Sequence, residues 1–196
     1  MIYCKINLSD NNFLTGLKLK KYTNDWSLIK MDFEYDIDKI LKLAEEKETE
    51  NREFLIFLRN YDHKKVDDMV HKLGEKYLRE YNCLKCGNCC HSLIPSLSHA
   101  KILEISHEFN ISMEEFKEKY IKKEIPGGYV LKGEDCPFMK EDNKCAIYHI
   151  RPEACSSFPH LHKDNINHRL VELLDNSFIC PIVYYVLEEL KSELLD

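Results

Sequence analysis

The sequence predicts an α+β fold that is predominantly helical, with small antiparallel strands at the N-terminus and an irregular C-terminal half. Three observations carry this. The apolar period is nearer two than 3.6 over roughly residues 1–35, it turns helical from Ile37 onward, and between about residues 122 and 179 it breaks down.

In chain order, Ile2, Cys4, Ile6 and Leu8 alternate, as do Leu17 with Leu19 and Met31, Phe33 with Tyr35, which predicts short strands. Ser9-Asp10-Asn11-Asn12 and Thr23-Asn24-Asp25 are the turns between them. Ile37, Ile40, Leu41 and Ala44 lie at i, i+3, i+4 and i+7, an amphipathic helix running into the charged stretch Glu45 to Arg52. Phe54, Phe57, Leu58 and Tyr61 repeat that spacing briefly. Val66, Met69, Val70, Leu73, Tyr77 and Tyr81 carry it over a longer helix that delivers Cys83. Ile102, Ile105 and Phe109 mark another helix. Ser112-Met113-Glu114-Glu115 has the form of a capping box, in which Ser and Glu side chains each satisfy the other's free backbone N–H, and it opens a helix holding Phe116 and Tyr120. Pro181 stands at a helix-start position, with Val183, Val186, Leu187, Leu190 and Leu194 along one face. Between these last two helices come Pro126-Gly127-Gly128, Cys136-Pro137, Arg151-Pro152 and Phe158-Pro159 with few apolar repeats. Something other than an apolar core is expected to hold that stretch.

Length and charge narrow the function classes. The 196 residues fit one globular domain with an N-terminal annex, here divided as 1–75 (strands, then amphipathic helices) and 76–196. Lys or Arg number 28 against 34 Asp or Glu, a net charge of −6, and no basic block occurs, so nucleic acid is not expected as a partner. No run approaches the roughly 18–20 apolar residues of a membrane helix, and the start Met-Ile-Tyr-Cys-Lys-Ile-Asn has no export pattern, so no membrane is expected and a cytoplasmic location is. The six glycines match neither dinucleotide nor P-loop spacing.

Nine cysteines are the anomaly, and eight of them fall in the second half. Cys83-Leu84-Lys85-Cys86-Gly87-Asn88-Cys89-Cys90 is a C-x2-C-x2-C-C run, followed by Cys136, Cys145, Cys155 and Cys180. A C-x2-C loop folds back so that both sulfurs meet one cation or cluster face, and Gly87 relieves the backbone where another residue would be strained. The eight are therefore expected as metal ligands, in preference to disulfides, which need an oxidising compartment, or to inert thiols. Cys89 and Cys90 are adjacent, so on a helix their side chains diverge by about 100°. Two centres, or two metals of one cluster, are the expectation, and eight thiolates at four per site give the same count. Cys83, Cys86 and Cys89 match the first three ligands of a bacterial ferredoxin run, and Cys136 and Cys180 precede Pro as that motif's remote ligand does. The reading therefore tilts toward a 4Fe-4S cluster, with zinc as the alternative. Cys4 reads as a small buried hydrophobe. His91 and His149 are the histidines considered as substitute ligands, and solvent-facing or backbone-bonded roles suit them better.

These residues resemble the YkgJ-type cysteine-cluster family, the CxxCxxCC zinc- or iron-chelating domain. The resemblance rests on the run Cys83 to Cys90, on Cys136-Pro137-Phe138-Met139, on Cys145-Ala146-Ile147-Tyr148-His149-Ile150-Arg151-Pro152, on Cys155 with Phe158-Pro159, and on Cys180-Pro181, and it spans roughly residues 78–185. It implies a metal-binding domain, and the related domain of flagellin lysine N-methylases implies that some members assist methyl transfer to protein lysines. Ser156 departs from the family pattern, where a basic residue often follows the cysteine. Arg151 is read either as a counter-charge for a thiolate-rich centre or, more plainly, as a donor to nearby carbonyls beside a short helix started at Pro152.

Three functions compete on this sequence. The first is a metal-binding protein in which the metal folds the segment 122–179. The second is an iron–sulfur enzyme or enzyme accessory in electron transfer or protein methylation. The third is a metal delivery or storage protein. Metal ions are the expected partners in all three, and the annex could serve a partner protein. No catalytic base or nucleophile stands out, Glu134 and Asp135 beside Cys136 being ordinary loop carboxylates.

Overall fold

The computed structural model describes residues 33–195. It is α+β and mostly helical, with one small antiparallel sheet. The strands expected before residue 33 lie outside the described residues. Phe33 and Tyr35, expected in the last of them, are in irregular backbone, where Phe33 packs edge-on against Tyr77, Tyr81 and Tyr185.

Helix α1 (Ile37–Glu46) starts where Asp36 accepts from the Lys39 N–H, and it buries Ile40 and Ala44. After Lys47, α2 (Glu48–Arg59) runs through the charged stretch expected to face solvent, yet it buries Asn51, Phe54, Leu55 and Leu58. Asp62 caps α3 (His63–Glu80) by accepting from Lys65 N at 2.8 Å. The α3 stripe Val66, Val70, Leu73 and Tyr77 meets Val183, Val186, Leu187 and Leu190 of α10 (Pro181–Leu195), the helix that opens at Pro181 as its position predicts. Each such side chain contributes about 1.5–3 kcal/mol on burial. Residue 75 lies inside α3, and this first core draws on residues from both sides of it.

A second core lies around the sheet. Strands β1 (Ser96–Leu97), β2 (Ile121–Ile125) and β3 (Gly128–Leu131) pair antiparallel in the order β1-β3-β2, with Leu97 opposite Tyr129 and Ile125 opposite Gly128. Tyr129 and Leu131 point inward from β3 onto Ile102 and Ile105 of α6 (His99–Glu108) and Phe116 of α7 (Met113–Tyr120). Both bonds of the capping box at Ser112 and Glu115 form.

The segment 122–179 is thus less irregular than its sequence pattern. It supplies most of β2, all of β3, and α9 (Leu170–Ser177), and it places Phe138 and Ile147 in the second core and Leu161, Ile166, Leu173 and Leu174 in the first. Its periodic stretches are short, Leu170, Leu173 and Leu174 on one helical face and Tyr129 with Leu131 on one strand face, and they stand among residues without a period. Gly74 lets Leu161 lie against α3, since a Cβ there would stand 2.9 Å from that of Leu161. Among the described residues no single helix is long and apolar enough to cross a membrane. The bent pair of α9 and α10 passes by length and composition, and its apolar side chains line the first core.

Candidate metal centre

Asn82 opens α4 (Cys83–Cys86), a single turn, by accepting from the Leu84 N–H at 3.1 Å. Gly87 ends it in the left-handed region with φ +65°, donating to the Cys83 carbonyl, and α5 (Asn88–Ser92) begins at once. The cysteine run is therefore two short helical turns hinged at Gly87. A side chain at Gly87 is excluded twice, by φ and by Asn143, whose Cβ would lie 2.9 Å from the new Cβ.

The hinge separates the thiols between the two cores. Cys86 packs on the first core and Cys180 belongs to it, and Cys83 and Cys86 both act electrostatically on Cys180. The buried Asn88 side chain donates to the Ile179 carbonyl at 2.7 Å and so ties the run to the turn before Cys180. On the other side, Cys90 packs on the second core with Cys145, and Cys136 is part of it. The Cys136 N–H donates to the Cys90 carbonyl at 3.0 Å, and their thiols stand close enough to act as hydrogen-bond partners. Cys145 is brought back by a tight hairpin in which Met139 bridges Cys145 and Ala146 N–H donates to the Phe138 carbonyl. Cys155, on the one-turn α8 (Glu153–Ser156), acts with Cys136 and Cys145. Cys89 acts on the neighbouring Cys90 thiol, which sets it beside the second group.

All eight described cysteines are free. Burial raises the Cys180 thiol to about 12 and the Cys155 thiol to about 11. The Cys136 contact favours the Cys90 thiolate, but the Cys89 thiol and burial outweigh it and bring Cys90 to about 12, and the Cys90 contact with burial pushes Cys136 up as well. The protein bulk behind the exposed Cys83, together with Cys86, raises that thiol. Arg151 opposes these shifts. It lowers Cys83, Cys145 and Cys155, one from the first group and two from the second, and its guanidinium lies over the Tyr148 ring at 4.3 Å. This places it as a counter-charge between the groups, while Pro152 does precede α8 as expected.

With the side chains where they stand, no three His, Cys, Asp or Glu among the described residues converge closely enough to hold an ion. As a donor set the groups fit zinc or iron, since they offer soft thiols, partly apolar walls and a neighbouring guanidinium. The two histidines considered as substitutes are engaged at the surface, His91 between Asp135 and Asn143, and His149 with Glu108 at 3.3 Å.

Sequence reasoning missed two participants. Tyr81, 5% exposed, lies beside Cys86, and burial first and that thiol second push its hydroxyl up. Its helical period marked it only as core. Asn88 gave no signal beyond standing between two cysteines.

Residues 82–174 match the family CxxCxxCC, a zinc- or iron-chelating domain. An uncharacterized protein of Methanocaldococcus jannaschii is 33% identical over 85 residues, 41% of this chain and 44% of that protein, so the chain spans less than half the length of this curated relative. No solved structure matches. The resemblance read from the cysteine pattern thus holds over residues 82–174, where the chain is like the CxxCxxCC zinc- or iron-chelating domains, and metal binding follows from it.

Proposed function

We propose that this protein holds zinc or iron in two neighbouring thiolate centres, Cys83, Cys86 and Cys180 forming one, and Cys90, Cys136, Cys145 and Cys155, with Cys89 beside them, forming the other. The observation that carries this is the division of the thiols between two cores at the Gly87 hinge. Thiols raised by burial bind a cation by giving up protons, so a metal stands in for the hydrogen bonds and desolvated protons of the unligated groups. Arg151 offsets part of the negative charge that thiolates bring. When bound, zinc supplies structural cross-linking, and an iron–sulfur cluster supplies electron transfer.

The iron–sulfur reading draws on the C-x2-C-x2-C spacing. The zinc reading draws on the split of that run at Gly87, which gives Cys83 and Cys86 different thiol neighbours from Cys89. Iron, zinc and acid-labile sulfide are to be measured per chain on protein purified without oxygen. Iron with matching sulfide selects clusters, zinc without sulfide selects thiolate zinc, and a chain free of all three after anaerobic purification and attempted loading would end the proposal. Eight free thiols support a reducing, cytoplasmic setting, where they stay available to metal.

A further inference from the structure

The two thiol groups are built unequally. The group in the second core has more donors than a four-coordinate ion needs. Cys136 is buried, and Cys89, Cys90, Cys145 and Cys155 are half-buried. The first group has three thiols. Cys180 is buried and Cys86 half-buried, but Cys83 is exposed, as are Leu84 and Lys85 next to it on α4. The Tyr81 hydroxyl beside Cys86 is already engaged, donating to the Glu34 carbonyl at 3.3 Å.

The surround of Cys83 has a definite chemistry. Arg151 acts on this thiol and lies over Tyr148, which is 41% exposed. Lys85 lies over Tyr35, and Leu84 is 37% exposed. An exposed thiol thus has one cation, Arg151, acting on it and the exposed Leu84 next to it in the chain. Three protein ligands with an open position are the arrangement of sites that take an outside ligand, whereas closed four-thiolate sites are structural. Soft metals with thiolate neighbours prefer a further soft donor, and the Arg151 guanidinium favours one carrying negative charge.

Resting on the two-centre reading above, we propose that the Cys83, Cys86, Cys180 centre is the open and exchangeable one, binding its metal by three thiolates and completing it with an anionic thiol from outside the chain, while the second centre is closed.

The full-length chain is to be loaded with zinc alone and its release to a chromogenic chelator followed in time. Two phases are expected. The faster is lost in C83S, whose replaced residue is exposed, and is retained in C145S. In a second measurement the chain is loaded with cobalt(II) and titrated with mercaptoacetate. The thiolate-to-cobalt absorption band is expected to grow in the parent and in C145S but not in C83S. Far-UV circular dichroism of both variants establishes that the chain remains folded. If C83S loses its fold, alkylation of Cys83 in the folded parent replaces it, with the same loss expected. Release in a single phase, or a fast phase that disappears with Cys145, overturns the inference while leaving two centres intact. Failure to bind any metal overturns the proposed function and the inference with it.

Discussion

Gly87→Ala tests the hinge on which the division of the cysteines depends. Alanine at φ +65° puts an L side chain in the left-handed region, at about 1–2 kcal/mol. Its Cβ would also stand 2.9 Å from the Asn143 Cβ, which makes the α4–α5 turn and the 139–145 hairpin move apart, an overpacking cost of about 1–3 kcal/mol. Together these give roughly 2–5 kcal/mol. With a urea dependence of about 2 kcal/mol per molar, the unfolding midpoint of the metal-free protein falls by about 1–2.5 M. Asn143 itself has φ +63°, so Asn143→Gly removes the opposing Cβ and suits that backbone. The double variant G87A/N143G is expected to recover the steric part and retain the backbone part, a coupling of about 1–3 kcal/mol. A G87A midpoint within about 0.5 kcal/mol of the parent, the range of an indifferent surface change, would refute the hinge.

Lys191, 6% exposed, bridges Glu50 and Glu188 and donates to Asn51, so Lys191→Met removes one of the two ammoniums on these carboxylates while Lys47 stays paired with both, and it is expected to destabilise by about 1–3 kcal/mol, discounted for the partial exposure of Glu50. Burial raises the Glu50 carboxyl, but the Lys191 and Lys47 ammoniums outweigh it and hold it below its usual 4.5. Its contribution is therefore present above about pH 4.5 and is lost as pH falls through the lower folded value, and K191M should show less of this acid loss in pH-dependent denaturation. Asn88→Ala leaves the Ile179 carbonyl without its donor and should cost about 1–3 kcal/mol while weakening metal retention at Cys180 more than at Cys136, read by metal content of C136S and C180S backgrounds. Ser112→Ala removes a capping box far from the thiols and should lower thermal stability by about 1 kcal/mol with metal content unchanged.

Wherever a periodic apolar stripe faces one neighbour, the sequence was sufficient. Val66 to Tyr77 and Val183 to Leu190 read as helices because each packs along its whole length on the other, and the Ser112 box and Pro181 read as starts because their partners are within a turn. Leu170–Ser177 and the β2–β3 hairpin do carry local periods, Leu170, Leu173 and Leu174 facing the first core and Tyr129 with Leu131 the second, but each is only one or two repeats long among polar and Pro-Gly residues, too short to stand out. The charged stretch Glu45 to Arg52 read as solvated, yet Asn51 is fully buried there, where Lys191 arrives from α10 and donates to its amide oxygen.

The sequence by itself determined the likeness to the zinc- or iron-chelating domains over residues 82–174, because the C-x2-C-x2-C-C run is a local spacing that can be read without the rest of the chain. Which thiols are neighbours was decided only by tertiary structure. Cys180 meets Cys83 and Cys86 because α10 packs on α3, and Cys136 and Cys145 meet Cys90 because a hairpin folds onto the second core. Those encounters join residues up to about a hundred positions apart, and no local period or spacing encodes a contact that two separate hydrophobic cores create.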